Sequence, residues 1–222
     1  MSRGQLLDRI AVNYVSYGSN TNYNRLALYI EGGQAPGSSY RHEGCTDKTL
    51  PPPGQPIVLA RELYFAVDPD DWWGGGTGFI GIEPSKEHTT LAVAYRLRPG
   101  QFTQIAAQED GRGLKPLKVE LEALRSIGHI SLFPDRVYGE LVYCGDDESG
   151  IPNLSFTRGL AVEPQDYQAP HPAYLRIIAT GLMRAHGLSM QQAAEYFLAK
   201  AGIRDTMSLM DILGALSVPG DL

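Results

Sequence analysis

The stretch Tyr17-Gly18-Ser19-Asn20 constrains this chain most, because it stands where a strand pattern gives way to a helix pattern. Residues 10–17 are rich in β-forming side chains, whereas residues 22–30 carry apolar groups at helical spacing and are followed by Gly32-Gly33. A glycine-containing turn at a helix start directs backbone N–H groups outward, with the helix dipole behind them. This pattern is typical of a site for a carboxylate, a phosphate or an oxyanion, and equally of a plain Asn/Ser helix cap.

Composition excludes several classes of protein. The 222 residues are 43% hydrophobic, which is enough for one sizeable folded domain. The net charge of −6 and the lack of a basic block argue against general nucleic-acid binding. No apolar run approaches the roughly 20 residues of a membrane span, and the first residues lack a signal-peptide core. We therefore expect a cytoplasmic protein without a membrane partner, whose two cysteines form no disulfide framework.

The order of the remaining patterns predicts an α+β protein. A long Gly/Pro/Ser-rich loop covers residues 31–56, and long loops in compact domains are often functional. Strands are predicted at 57–66, 78–82, 91–97, 136–144 and 153–157, the last two as a hairpin. Helices are predicted at 101–109, from about 172 onward, from the Ser189–Gln192 capping box to Lys200, and at 207–216.

Glu109 is the candidate general base. Phe102, Ile105 and Ala106 share one face of the predicted 101–109 helix, and Glu109 falls on that face at i+7 from Phe102. A carboxyl group that projects from an apolar stripe has a raised pKa and accepts protons better near neutral pH. The alternative is an ordinary helix-end glutamate that turns out to solvent.

Other reactive groups form weaker patterns. No paired metal-ligand spacing joins His42, Cys45, Asp47 and His88. Cys45 and His42 carry no signature of a nucleophile and its base. Trp72-Trp73 suits either ring stacking on a ligand or plugging of the core, and the following glycines lack the Lys and helix of a phosphate loop.

Three motifs together resemble the γ-glutamylcyclotransferase family, which includes plant avirulence-induced proteins and the enzyme that removes a γ-glutamyl protecting group in butirosin biosynthesis. The 17–20 stretch resembles the family's YGSN substrate loop, and Gln108-Glu109 resembles the segment with the catalytic glutamate. Residues 169–178, with Tyr174, and the following His186-Gly187-Leu188 are similar to a late Pro-x-x-Tyr segment. Ala106-Ala107 departs from the acidic residue common before the catalytic glutamate, and residues 113–117 lack a second pocket tyrosine.

The resemblance implies a mixed β-barrel flanked by helices, formed by residues 1–188, with a C-terminal helical extension at 189–222 packed on it. It implies no metal and no cofactor. It implies Glu109 as the catalytic residue. The substrate-binding residues that it implies are Tyr17, Gly18, Ser19, Asn20 and Tyr174.

The implied activity is that of a γ-glutamyl cyclotransferase, which releases pyroglutamate and a free amine or amino acid from a small γ-glutamyl substrate. Glutathione, a γ-glutamyl amino acid and a γ-glutamylated secondary metabolite all remain open as substrates. One alternative is a non-catalytic small-molecule binding module or accessory protein that uses the same pocket. Another is an acyl transferase that depends on Cys45 or Cys144. The sequence indicates no oligomeric state.

Overall fold

The structure is a computed structural model that describes residues 5–35, 40–68, 74–109, 119–134, 136–159 and 161–218. It confirms the α+β class, since a mixed sheet packs against helices. The Trp72-Trp73 pair and the segment 113–117 lie outside the described residues. No helix in these ranges is long and apolar enough to cross a membrane.

The main sheet has six strands in the order β4-β7-β1-β10-β9-β8, and β2-β3 and β5-β6 form two further strand pairs. The strands are β1 (Val12–Ser16), β2 (Gly33–Gln34), β3 (Arg41–His42), β4 (Gln55–Leu59), β5 (Leu63–Ala66), β6 (Thr77–Ile80), β7 (Thr90–Leu97), β8 (His129–Ser131), β9 (Glu140–Asp146) and β10 (Pro152–Thr157). Strand β1 lies at the centre, parallel to β10 and antiparallel to β7, and all five of its residues are buried. The turn that follows β1 therefore leaves from the middle of the sheet.

The sheet is open and not the closed barrel that the resemblance implied. Within the described ranges β4 and β8 are edge strands that do not pair with each other, and both contribute residues to one cleft. The buried Arg61 guanidinium donates to the Gly81 carbonyl at 3.0 Å and to the Tyr143 carbonyl at 3.1 Å. A side chain thus links the β5-β6 pair to β9 where a closed barrel would have a continuous hydrogen-bonded ladder.

The predicted strand at 57–66 is in fact two strands. β4 ends at Leu59 and β5 begins at Leu63 in a different sheet. The Thr90 hydroxyl donates to the Arg61 carbonyl at 2.7 Å, and the Ser85 N–H donates to the Ala60 carbonyl at 2.6 Å. These bonds satisfy backbone groups that would otherwise need a neighbouring strand, so the chain can change sheets here.

Two further differences concern the later part of the sheet. Strand β9 begins at Glu140 and not at 136, because the chain forms a turn before the strand. In this turn the Arg136 N–H donates to the Phe133 carbonyl at 3.0 Å. The predicted hairpin is confirmed, since β9 and β10 pair antiparallel. A helix and a strand lie between 121 and 131, where the sequence predicted neither.

Apart from α3, which the sequence did not predict, the helices begin and end close to the predicted residues. They are α1 (Tyr23–Glu31), α2 (Gln101–Glu109), α3 (Leu121–Ile127), α4 (Pro172–His186), α5 (Met190–Leu198) and α6 (Leu209–Ser217). The Asn22 side chain caps α1 by accepting from the Asn24 N–H, and Gly32 ends this helix with φ of 85°. The capping box of Ser189 and Gln192 is present at the start of α5.

Helix α4 fixes the turn after β1. An ideal Cβ on Gly181 would lie 2.3 Å from the carbonyl carbon of Thr21, so only glycine lets the helix approach this backbone so closely. Helices α5 and α6 contribute Phe197 and Ile212 to the same core cluster that contains Leu182 of α4. The division of the chain at residue 188 stays a prediction.

Candidate functional site

A cavity of about 330 Å³ lies where the turn after β1 meets the last turn of α2. Residues of β1, β3, β6, β10, α1 and α4 and of the turn before β9 also line it. All six residues for which the sequence predicted a role line it, namely Tyr17, Gly18, Ser19, Asn20, Glu109 and Tyr174. Asn20 and Glu109, which are 89 residues apart in sequence, thus share one cavity.

The turn after β1 is a short 3-10 segment, Ser19–Thr21, and not the first turn of α1. Its own hydrogen bonds run from the Thr21 N–H to the Gly18 carbonyl and from the Asn22 N–H to the Ser19 carbonyl. The N–H groups of Ser19 and Asn20 have no hydrogen-bond partner among the described residues. Two backbone donors therefore remain for a ligand at the cavity wall.

Glu109 is the last residue of α2 and lies half-buried in the cavity. Its Oε1 is 3.5 Å from the side-chain nitrogen of Asn20, and the Tyr29 hydroxyl is close enough for hydrogen bonding to lower the pKa of the carboxyl group. Burial raises the pKa of Glu109 to about 6, although these two hydrogen bonds and the positive charge of Arg25 act in the opposite direction. The group can therefore exchange a proton near neutral pH.

Gln108 holds the end of α2 in place beside Glu109. Its side-chain nitrogen donates to the Tyr29 carbonyl at 2.9 Å, and its side-chain oxygen accepts from the Gly44 N–H at 3.2 Å. The side chain is 5% exposed, so both hydrogen bonds are shielded from water. The glutamine thereby ties α2 to α1 and to the loop after β3.

The hydroxyl groups of the two predicted pocket tyrosines form hydrogen bonds with backbone groups. The Tyr17 hydroxyl donates to the Phe156 carbonyl at 2.5 Å. The Tyr174 hydroxyl accepts from the Gly78 N–H at 3.3 Å and lies against Gly18, where a Cβ would be 3.4 Å away. Both tyrosines therefore help to hold the walls of the cavity in place around the turn.

Several cavity residues escaped the sequence reasoning. Tyr14, Tyr29, His42 and Tyr138 all line the cavity. The sequence did contain a hint of Tyr29, because residues four apart share a helix face and the charged Arg25 lies four residues before Tyr29 in α1. Tyr138 had none, since it belongs to the turn that was predicted as strand.

The cysteine and metal alternatives find little support in the geometry. Cys45 and Cys144 are both free thiols, and neither lines the cavity. Burial raises the pKa of Cys45 to about 12 and that of Cys144 to about 11, so neither is an activated nucleophile. Within the described ranges, no three His, Cys, Asp or Glu side chains are grouped so that they could hold a metal ion.

Comparison with known proteins places the chain beside a small number of relatives. No family model matches the sequence. The chain is 29% identical over 204 residues to Histone deacetylase 5 of Arabidopsis thaliana, a match that covers 86% of this chain. It spans only 31% of the length of that curated relative.

Several solved structures are similar to this one, among them the following three. A γ-glutamyl cyclotransferase aligns with a TM-score of 0.48 at 15% identity, covering 92% of this chain and 98% of its own. An uncharacterized protein from Homo sapiens aligns with a TM-score of 0.45 at 16% sequence identity, with the same coverage. YkqA from Bacillus subtilis aligns with a TM-score of 0.44 at 14% sequence identity, covering 83% of this chain and 52% of its own.

Proposed function

We propose that this protein is a γ-glutamyl cyclotransferase, which converts a γ-glutamyl amide into pyroglutamate and a free amine or amino acid. The observation that carries the proposal is the position of Glu109. A half-buried carboxyl group with a pKa of about 6 lies in the same cavity as the backbone donors of Ser19 and Asn20. An acid–base group and an oxyanion site are the two parts that this reaction needs.

The first step is proton removal from the substrate's α-ammonium group by the Glu109 carboxylate. Asn20 supports this assignment, because its side-chain oxygen is buried and has no hydrogen-bond partner among the described residues. A buried acceptor without a donor is costly unless a ligand supplies one. An α-ammonium group held between Asn20 and Glu109 would donate to both oxygens.

The freed amine then attacks the γ-carbonyl carbon of the same molecule and closes a five-membered ring. The carbonyl oxygen takes the negative charge, and the N–H groups of Ser19 and Asn20 are the donors that we assign to its stabilisation, because they have no partner among the described residues. As the C–N bond to the leaving amine breaks, Glu109 gives its proton to the leaving nitrogen, and the ring nitrogen, positively charged after the attack, loses its second proton to the departing amine, which leaves as an ammonium ion. Because both reacting groups belong to one molecule, orientation by the cavity supplies a large part of the rate.

The test is an assay for pyroglutamate by mass spectrometry, with glutathione, a γ-glutamyl amino acid and a γ-glutamyl amine as substrates. We expect pyroglutamate and free amine to appear in equal amounts from at least one of them. Saturable binding of these compounds without release would instead favour the non-catalytic binding module. Loss of activity after thiol alkylation would favour the cysteine-dependent reaction.

A further inference from the structure

Three rings form a row along one wall of the cavity. The rings of Tyr29 and His42 have centroids 4.1 Å apart, and the His42 and Tyr40 centroids are 4.9 Å apart, nearly perpendicular. Tyr29 is 6% exposed and His42 is 4% exposed, whereas Tyr40 is 48% exposed. The row therefore runs from the floor of the cavity to its mouth.

The row begins beside Glu109, since Tyr29 and Glu109 line the same cavity and the Tyr29 hydroxyl lowers the pKa of this carboxyl group. Under the proposed function, on which this inference rests, Glu109 also protonates the leaving nitrogen. That nitrogen must come within hydrogen-bond distance of the carboxyl group. The substituent on the nitrogen then extends from Glu109 toward the mouth, along His42 and Tyr40.

This wall carries no charge at neutral pH. Burial and the nearby positive charge of Arg25 lower the pKa of His42 to about 4, so its imidazole is neutral. The Nδ1 atom of His42 is buried and has no hydrogen-bond partner among the described residues. Asp68 and Arg136 also line the cavity but are not part of this row. A ligand at this wall would therefore contact the faces and edges of the three rings and one polar atom, Nδ1 of His42.

We propose that the row of Tyr29, His42 and Tyr40 is the subsite for the leaving group and that it accepts a planar aromatic ring. The substrate class is then γ-glutamyl amides of aromatic or arylalkyl amines. Aromatic pairs with offset or edge-to-face geometry prefer each other to aliphatic partners of equal size. The preference corresponds to about 2- to 10-fold in an equilibrium or rate constant.

The test compares two substrates that differ only in the saturation of one ring, γ-glutamylbenzylamide and γ-glutamyl(cyclohexylmethyl)amide. We expect kcat/KM to be about 2- to 10-fold higher for the benzyl compound. In Tyr40→Leu this ratio falls toward one, whereas in Tyr40→Phe it persists because the ring remains. Tyr40 is half exposed, so both variants retain the folded core. A ratio of one or less in the wild type, or a ratio unchanged in Tyr40→Leu, overturns the inference.

Calorimetry with the same two amides and the Glu109→Gln protein measures binding at the subsite independently of the reaction. Tighter binding of the benzyl compound, combined with no turnover by the wild type, retains the subsite and removes the proposed activity. Turnover without any preference between the amides removes the subsite and retains the activity. Absence of both binding and turnover contradicts both.

Discussion

The side-chain nitrogen of Asn20 lies 3.2 Å from the Tyr14 hydroxyl and 3.5 Å from Oε1 of Glu109. One buried amide group therefore joins the central strand, the turn that follows it and the end of α2. This arrangement fixes the orientation of the Asn20 side chain, and it leaves the amide oxygen without a partner among the described residues. This contact links the turn directly to the candidate acid.

Replacement of Glu109 by Gln removes the proton carrier and keeps its shape. We expect kcat to fall by about 10²- to 10⁴-fold, since this is the usual contribution of a positioned acid or base. Binding of a γ-glutamyl compound should stay within a few-fold of the wild type, because the amide can still contact Asn20. Steady-state kinetics and calorimetry measure the two effects, and a near wild-type kcat would remove Glu109 from the mechanism.

The same variant should change stability in a way that depends on pH. The pKa of Glu109 is raised in the folded protein from 4.5 to about 6, so the folded state binds more protons between these values. The charged carboxylate therefore lowers stability above about pH 6 and has no such effect below about pH 4.5. We expect Glu109→Gln to be more stable than the wild type by about 1–2 kcal/mol at pH 7.5. This gain should vanish at pH 4, as measured by urea unfolding, and a gain of equal size at both pH values would contradict it.

Local patterns predicted the elements that place Glu109. The Pro99-Gly100 turn before Gln101 and the i, i+3, i+4 spacing within the helix predicted the bounds of α2 correctly. The direction of Glu109 could be predicted because helical geometry sets which residues share a face. The capping box of Ser189 and Gln192 could also be predicted, since its two residues are only three positions apart in the sequence.

Contacts between distant segments could not be predicted. The break between β4 and β5 depends on Thr90, whose hydroxyl bonds the Arg61 carbonyl 29 residues away. Likewise, Tyr138 reaches the cavity wall by donating to the Gly78 carbonyl, 60 residues away. No periodicity within either segment indicates such a partner, so the open edge of the sheet and most of the cavity lining emerged only from the three-dimensional structure.

Tyr29→Phe should move the pH dependence of the reaction. The hydrogen bond from the Tyr29 hydroxyl lowers the pKa of Glu109, so its removal raises that pKa. We expect the acid limb of kcat/KM, near pH 6 in the wild type, to move to higher pH. Tyr196→Phe is the matched control, since this hydroxyl accepts from the Leu91 N–H and does not line the cavity. An unmoved limb in Tyr29→Phe, or an equal movement in the control, would count against the assigned role of the hydroxyl.

The last prediction concerns the support behind the substrate turn. A methyl group at Gly181 would lie 2.3 Å from the backbone of Thr21 and 2.6 Å from the Asn22 nitrogen, so helix and turn must separate in Gly181→Ala. Overpacking of this kind costs about 1–3 kcal/mol, which exceeds the gain of up to about 1 kcal/mol in helix propensity.

Gly214 in α6 provides the comparison for Gly181, because a Cβ there meets nothing within 4 Å. Gly214→Ala should therefore stabilise the protein by about 0.5–1 kcal/mol and leave turnover unchanged. Gly181→Ala should lower both the melting temperature and the affinity for γ-glutamyl ligands, since the N–H donors of the turn move away from Glu109. Thermal unfolding and ligand titration of the two variants side by side test this. If both alanines stabilise equally and both proteins bind ligand equally, the close approach of α4 does not set the position of the turn.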